Sequence, residues 1–449
     1  MKLYDFLKNK SDRHALRFHM PGHKGVSPIE GLENAYAVDY TELSDTGDLR
    51  AGFGPPVEVE NRLAAAYGAE AACLLTGGST QGVMAMLALA AKQGDSVIFA
   101  RDSHASAYNA MALMGIDPFY IMTPQLLPFN ISTPPRPEDA RRAFSDCPNA
   151  MALFVTSPTY HGLMCDIPAL AGVCREYGAL LLVDCAHGAH LPFFSLPFPT
   201  SQGAALAVTS LHKTIPALGQ CAALVSDGTF DIGSVRERVA VFGTSSPSYL
   251  LMASADAAAA YMLTAQSDGT AAELLRAAEA MRARLERAGL STLGQHNACG
   301  FLCDPMRLTV YCDDGRALAR RLIKKGIEVE MAGDHTVVFI LSASDKPCDY
   351  GRLADAIVEV GAGGLVCKSG LSQADAPPQI VLSPREAFFS PRETVPVSQA
   401  AGRICARLYA PCPPGVPVIA PGEMIEPRHL EAIRQIPLTE NSHIEVIMK

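Results

Sequence analysis

No stretch of this 449-residue chain reaches the ~18 consecutive apolar residues that a membrane span requires, so a helical membrane protein is excluded. Basic residues are in deficit: 37 Lys and Arg against 46 Asp and Glu leave a formal charge of −9. A surface without a basic excess cannot neutralise a run of phosphates, which argues against nucleic acid as a partner. No apolar signal core opens the chain, because MKLYDFLKNK carries charges where that core would sit. Tryptophan is absent, yet there are 13 cysteines, an odd count with no CxxC pair. Together these argue against a disulfide framework and for a reduced, cytoplasmic protein whose cysteines act mainly as small hydrophobes. Disorder is excluded as well, since 49% of residues are hydrophobic and only 18% charged.

What is present is an alternation. Short apolar runs (SVIFA at 96–100, PFYIM at 118–122, MALFVTSP at 151–158, ALLLVD at 179–184, LAVTS at 206–210, CAALVS at 221–226) are separated by helical stretches such as Val57–Tyr67 and Gln81–Lys92. Continuous apolar strands between helices indicate a sheet covered on both faces. The fold class is therefore α/β, with a mostly parallel, wound sheet of about seven strands. A smaller α+β domain follows, with strands expected in MRLTVYC, GIEVEMAG and TVVFILS. The expected organisation is an arm of loops over 1–56, a large domain over 57–262, the small domain over 263–370 and a C-terminal segment over 371–449. Within that organisation, Ser369–Pro378 reads as a linker and Ser398–Tyr409 as a helix.

In open α/β sheets, chemistry gathers at the carboxyl ends of the strands. Asp184 ends one predicted strand; Ser210, His212 and Lys213 end another; Ser79 and Thr80 follow a third and enter a helix. GGSTQG can be a capped turn or an anion cup, but it lacks the spacing of a P-loop or a dinucleotide fingerprint. Lys213 follows a buried strand; it either snorkels to solvent or serves as an amine nucleophile. Asp184 can cap a helix or accept a hydrogen bond from a protonated heterocycle. His187 and His190 are spaced like a metal pair, but no third ligand fits, so no metal is expected. An amine, a carboxylate and a phosphate cup are the parts that pyridoxal phosphate needs.

These motifs, with FHMPGHKG at 18–25, TELSDTGDL, RDSHAS at 101–106, SPTYHG at 157–162, SLHKTIPALGQ at 210–220, TSSPSYLLMAS at 244–254 and PPGVPVIAPGE at 413–423, resemble the Orn/Lys/Arg decarboxylase family in order and over nearly the whole chain. The resemblance is to the short form without an N-terminal wing domain. It implies the type I fold of pyridoxal 5′-phosphate enzymes and decarboxylation of arginine, lysine or ornithine to an amine, through an aldimine and a quinonoid, as in polyamine biosynthesis. On that resemblance Lys213 is the aldimine lysine, Asp184 the partner of the ring nitrogen and His104 the residue stacked on the ring. Ser79, Thr80 and Ser210 are phosphate ligands, and Thr244 is one donated by the partner of a homodimer or larger assembly. His187 lies near the ring and substrate carboxylate, and His212 is a candidate proton donor. Met20–Gly25 and Pro421–Glu423 resemble segments that approach the site.

The distal cation of a basic substrate needs an acid, for which Asp45, Asp48 and Glu423 are candidates. The sequence departs from the family where Cys185 replaces an acid, Gly77 an Asn and His161 a Tyr. Cys185, beside Asp184, is expected in the cofactor pocket. Competing readings are another reaction on the same cofactor, an aminotransferase or lyase step, and a non-catalytic regulatory homologue.

Overall fold

The computed structural model describes all residues except 14, 362–368, 412–414, 435–442 and 449. Seven strands form the main sheet: β1 (Ala71–Leu75), β2 (Ser96–Ala100), β3 (Asp117–Ile121), β4 (Ala152–Thr156), β5 (Leu180–Asp184), β6 (Leu206–Ser210) and β7 (Ala222–Ser226). Their spatial order is β1-β7-β6-β5-β4-β2-β3. β7 pairs antiparallel with both β1 and β6, and the remaining pairs are parallel. Apolar side chains fill both faces of the sheet because helices cover both. On β5, Leu181 and Val183 join one core while Leu182 joins the other.

Glycine and proline set several boundaries. The helix read as Val57–Tyr67 starts at Pro55, where a proline suits the first helical turn. The helix read as Gln81–Lys92 spans Gly78–Ala90. The alanine-rich stretch forms two helices, Tyr249–Ser267 and Thr270–Arg287, parted by Gly269 at φ 87°. The N-terminal arm is less irregular than expected. Leu3–Ser11 is helical, and it buries Leu3 and Leu7 one turn apart. The Leu3 N–H donates to Asp256 Oδ2 at 2.7 Å.

In the smaller unit, β8 (Arg307–Tyr311), β9 (Met331–Ala332) and β10 (Thr336–Ile340) pair in the order β8-β10-β9. The strand read over GIEVEMAG is thus cut to two residues, after a turn at Gly326 with φ 73°. Within the linker read over Ser369–Pro378, Gly370–Leu371 pair with Leu126–Leu127, and residues 372–378 carry no regular structure. No helix forms over Ser398–Tyr409. A single 3-10 turn at Val397–Gln399 ends near Gly402 at φ 77°. The chain then runs extended, with Cys405 bridging Val446 and Tyr409 bridging Ile419. Pairing decides the matter here, because Cys405, Tyr409, Ile419, Ile444 and Val446 bury one another in a small core of their own.

Candidate active site

Five strands deliver polar residues to one end of the sheet. A cavity of about 830 Å³, counting its open mouth, is lined by Ser79, Asp102, His104, Thr156, Tyr160, His161, Asp184, His187 and Lys213, with Asn130, Ser132 and Val416 at its walls. A more open groove on the smaller unit, lined by Lys325–Glu330 and by Asp349, Arg352, Asp355 and Glu359 among others, contains none of these strand-end groups.

Asp184 closes β5 with 3% exposure, and the Ala186 N–H donates to its Oδ1 at 3.0 Å. Lys213 lies on the short helix Leu211–Thr214 that begins directly after β6. Its Nζ is 3.2 Å from His187 Nε2. On the far side of the same ring, Arg307 Nη2 donates to Nδ1 at 3.1 Å. Burial, Lys213 and Arg307 together hold the His187 pKa well below the ordinary histidine value. His104 caps the helix Ala105–Met114, accepting the Ser106 N–H at Nδ1. Burial lowers its pKa too, with nearby Asp184 opposing and Lys213 adding. Gly415 lies close to the His104 ring: at φ 79°, an added Cβ would come within 2.9 Å of Cδ2. The Ala105 N–H donates to the Gly415 carbonyl at 3.1 Å, so the C-terminal segment is fixed against this histidine.

The other expected residues are distributed unevenly. Ser210 holds the N-cap position of the Lys213 helix without a capping hydrogen bond; it is fully buried, its Oγ has no hydrogen-bond partner among the described residues, and it is not among the cavity's lining residues. Thr80 is exposed and not among the cavity's lining residues. His212 is turned aside, its Nδ1 2.9 Å from the Cys221 carbonyl oxygen, and does not line the cavity. Thr244 is exposed and borders a separate small cleft with Gln81 and Arg236. Met20–Gly25 does not line the cavity of its own chain. Pro413 and Pro414 lie outside the described residues.

The candidate acids are engaged elsewhere. Glu423 is 1% exposed and binds Arg101 through both oxygens at 2.5 and 3.0 Å, so it is a structural anion rather than a free receptor. Asp48 accepts the N–H groups of Arg50 and Ala51 and borders a different cleft. Asp45 pairs with Lys10 at 2.6 Å. Cys185 is also not in the pocket. Extended backbone alternates its side chains, so Asp184 and Ala186 face the cavity while Cys185 is buried in the core, against Gly188.

Sequence reasoning missed three groups. Arg307 is 2% exposed and reaches His187 from the head of β8. Tyr160 packs edge-on to His187 at 5.0 Å and donates its hydroxyl to Glu330 Oε1 at 2.5 Å. Asp102 lines the cavity, and burial pushes its pKa up to about 6. One signal was available: a cation heading the apolar run RLTVY poses the same burial problem that singled out Lys213.

Residues 2–305 match the Orn/Lys/Arg decarboxylase major domain, and residues 371–443 match the C-terminal domain of that family. A protein of Bacillus subtilis named arginine decarboxylase is 30% identical over 462 residues, covering 96% of this chain and 92% of its own. A solved lysine decarboxylase from Francisella novicida superposes with a TM-score of 0.84 at 18% identity, over 100% of this chain and 81% of that one. A structure described as SPT with PLP has a TM-score of 0.55 at 18% identity, over 68% of this chain and 76% of its own. The architecture is the type I fold of pyridoxal phosphate enzymes. Among the described residues no helix is long and apolar enough to cross a membrane.

Proposed function

The chain belongs to the Orn/Lys/Arg decarboxylase family, and from that premise we propose that it decarboxylates a basic amino acid at Lys213 with pyridoxal 5′-phosphate as cofactor. The observation that carries the reading is the convergence of Lys213, Asp184, His104 and His187 on one cavity at the strand ends. The cavity suits the cofactor. Ser79 lines it at the start of the helix Gly78–Ala90, which has no side-chain cap; the Gly78 N–H is taken by the Gln220 carbonyl at 2.9 Å, and the N–H groups that follow it face the strand ends, where an anion is favoured. Behind it, Ser210 Oγ is a buried hydroxyl with no partner among the described residues.

When bound, the cofactor supplies an electron sink for the charge left at Cα as CO2 departs. The chain's own residues do the rest. Lys213 offers the amine that holds the cofactor. Asp184, with Oδ1 on the Ala186 amide, keeps a proton at the ring nitrogen through its remaining charge. Ser79, Ser210 and the helix amides hold the phosphate. His104, close against Gly415, covers one ring face and excludes water. Lys213 or His212 returns a proton to Cα, and of the two only Lys213 lines the cavity.

Glu330 is a candidate acid for the substrate's far cation, because Tyr160, which lines the cavity, donates its hydroxyl to it. Arginine is the first substrate to test, because the Bacillus relative carries that name. Thr244, exposed here, serves as a phosphate ligand to a second copy. The strongly exposed apolar side chains of Leu16, Phe18, Met20 and Val26 give that copy a surface to cover. Sedimentation of the wild-type protein tests this, and a monomer at working concentration would remove the shared site. Incubating the reconstituted protein with arginine, lysine and ornithine tests the reaction. Amine plus CO2 supports it, and a keto acid would support the aminotransferase alternative.

A further inference from the structure

His187 lies between two nitrogen donors. Arg307 Nη2 is 3.1 Å from Nδ1, and Lys213 Nζ is 3.2 Å from Nε2. A guanidinium has no acceptor lone pair, so Nδ1 must accept. A neutral imidazole that accepts at one nitrogen carries its proton on the other. The remaining possibility, an imidazolium, would leave a donor facing a donor on the Arg307 side.

The groups facing the ring oppose an imidazolium too. Lys213, Arg307, His104 and His190 surround it, and Tyr160 packs on it edge-on. The cation is built in rather than incidental. Arg307 is 2% exposed, its Cβ and Cγ run where a Cβ on Gly162 would stand, 2.7 Å away, and its Nε and Nη1 have no partner among the described residues.

We propose that Arg307 is a positioning residue that locks His187 in the neutral tautomer with its proton on Nε2. That N–H then points at Lys213 Nζ, where an ammonium would set proton against proton and only an amine with a free lone pair can accept. Arg307 thereby keeps Lys213 in the form able to attack a carbonyl. This consequence rests on the role proposed for Lys213. The tautomer itself does not, and it can be read without cofactor or substrate.

The test is two-bond 1H–15N correlation NMR on histidine-labelled protein free of cofactor, with His187 assigned by its loss in His187→Gln. The expected spectrum shows an unprotonated Nδ1 and a protonated Nε2 throughout the neutral pH range. Arg307→Lys, which still donates, should retain that pattern. Arg307→Met should lose it, giving mixed tautomers or a protonated ring. A wild-type Nδ1 bearing the proton would overturn the proposal even if no variant folds. So would an Arg307→Met spectrum identical to wild type. A raised KM in Arg307→Met with an unchanged tautomer would instead make Arg307 a substrate-carboxylate ligand, and would also overturn the positioning role. Loss of decarboxylation with the tautomer pattern intact would count against Lys213's assignment rather than against this one.

Discussion

Two arginines, Arg101 with 12% of its side chain exposed and Arg307 with 2% of its surface exposed, stand near residues that line the cavity, and the fold treats them in opposite ways. Arg101 forms a two-point pair with Glu423, reaches the Val418 carbonyl at 3.4 Å and lies over the rings of Tyr108 and Tyr120. Glu423 is satisfied in turn by the Ala420 N–H at 2.9 Å. This pair straps the C-terminal segment to the end of β2, just before His104. Arg307 makes a hydrogen bond to an imidazole nitrogen and, among the described residues, leaves Nε and Nη1 without partners. A fully paired buried cation holds a structure together, whereas one left under-satisfied beside a nucleophile carries a cost that stability alone does not explain. The strap should therefore govern stability, and the His187 side should govern chemistry.

The largest separation is expected at the site itself. Lys213→Ala should abolish both turnover and the visible absorbance of the reconstituted protein while leaving the thermal midpoint nearly unchanged. Asp184→Ala should lose on the order of a hundredfold or more in kcat, the scale of a lost preorganised charge. Wild-type turnover would mean that another group tunes the ring. On the strap, Glu423→Gln should cost about 3–5 kcal/mol in denaturant unfolding, the usual result of leaving a buried charge unpaired. Arg307→Met should stay within about 1 kcal/mol of wild type, because it removes an under-satisfied cation. Equal losses for these two variants would erase the distinction between the arginines. Glu330→Gln should raise KM for a basic substrate only a few-fold, since an exposed ion pair contributes about 0.2–1 kcal/mol.

Acid provides a separate check on the His187 side. Burial, helped by Arg307, lowers the His161 pKa from 6.5 to about 4, and His187 is lowered in the same direction. A histidine depressed in the folded state binds fewer protons there than when unfolded. Its stabilising contribution is therefore present above 6.5 and is lost as pH falls toward about 4. Unfolding midpoints should drop across that window, and His161→Gln should flatten the slope. An unchanged slope would mean that carboxylates dominate there.

Much of this was legible from single runs of sequence. Apolar strands gave the sheet, and the strand-end rule located Asp184, Lys213 and Ser79. The failures share a cause, since each turns on a partner far along the chain. Glu423 looked free because Arg101 lies 322 residues away in sequence. Arg307 and Glu330 belong to the smaller unit and bear no motif of their own. Cys185 failed for a local reason, the alternation of side chains past a strand end. The expected helix over Ser398–Tyr409 failed because Cys405 and Tyr409 found extended partners instead.

The most direct test is product analysis on protein reconstituted with pyridoxal 5′-phosphate, with Lys213→Ala alongside. L-Arginine, L-lysine and L-ornithine are supplied in turn, and CO2 and the organic product are quantified. Equimolar CO2 and amine from at least one of them, with none from Lys213→Ala, is the predicted result. A keto acid from wild type, undiminished amine release by Lys213→Ala, or no reaction with any of the three would contradict the account.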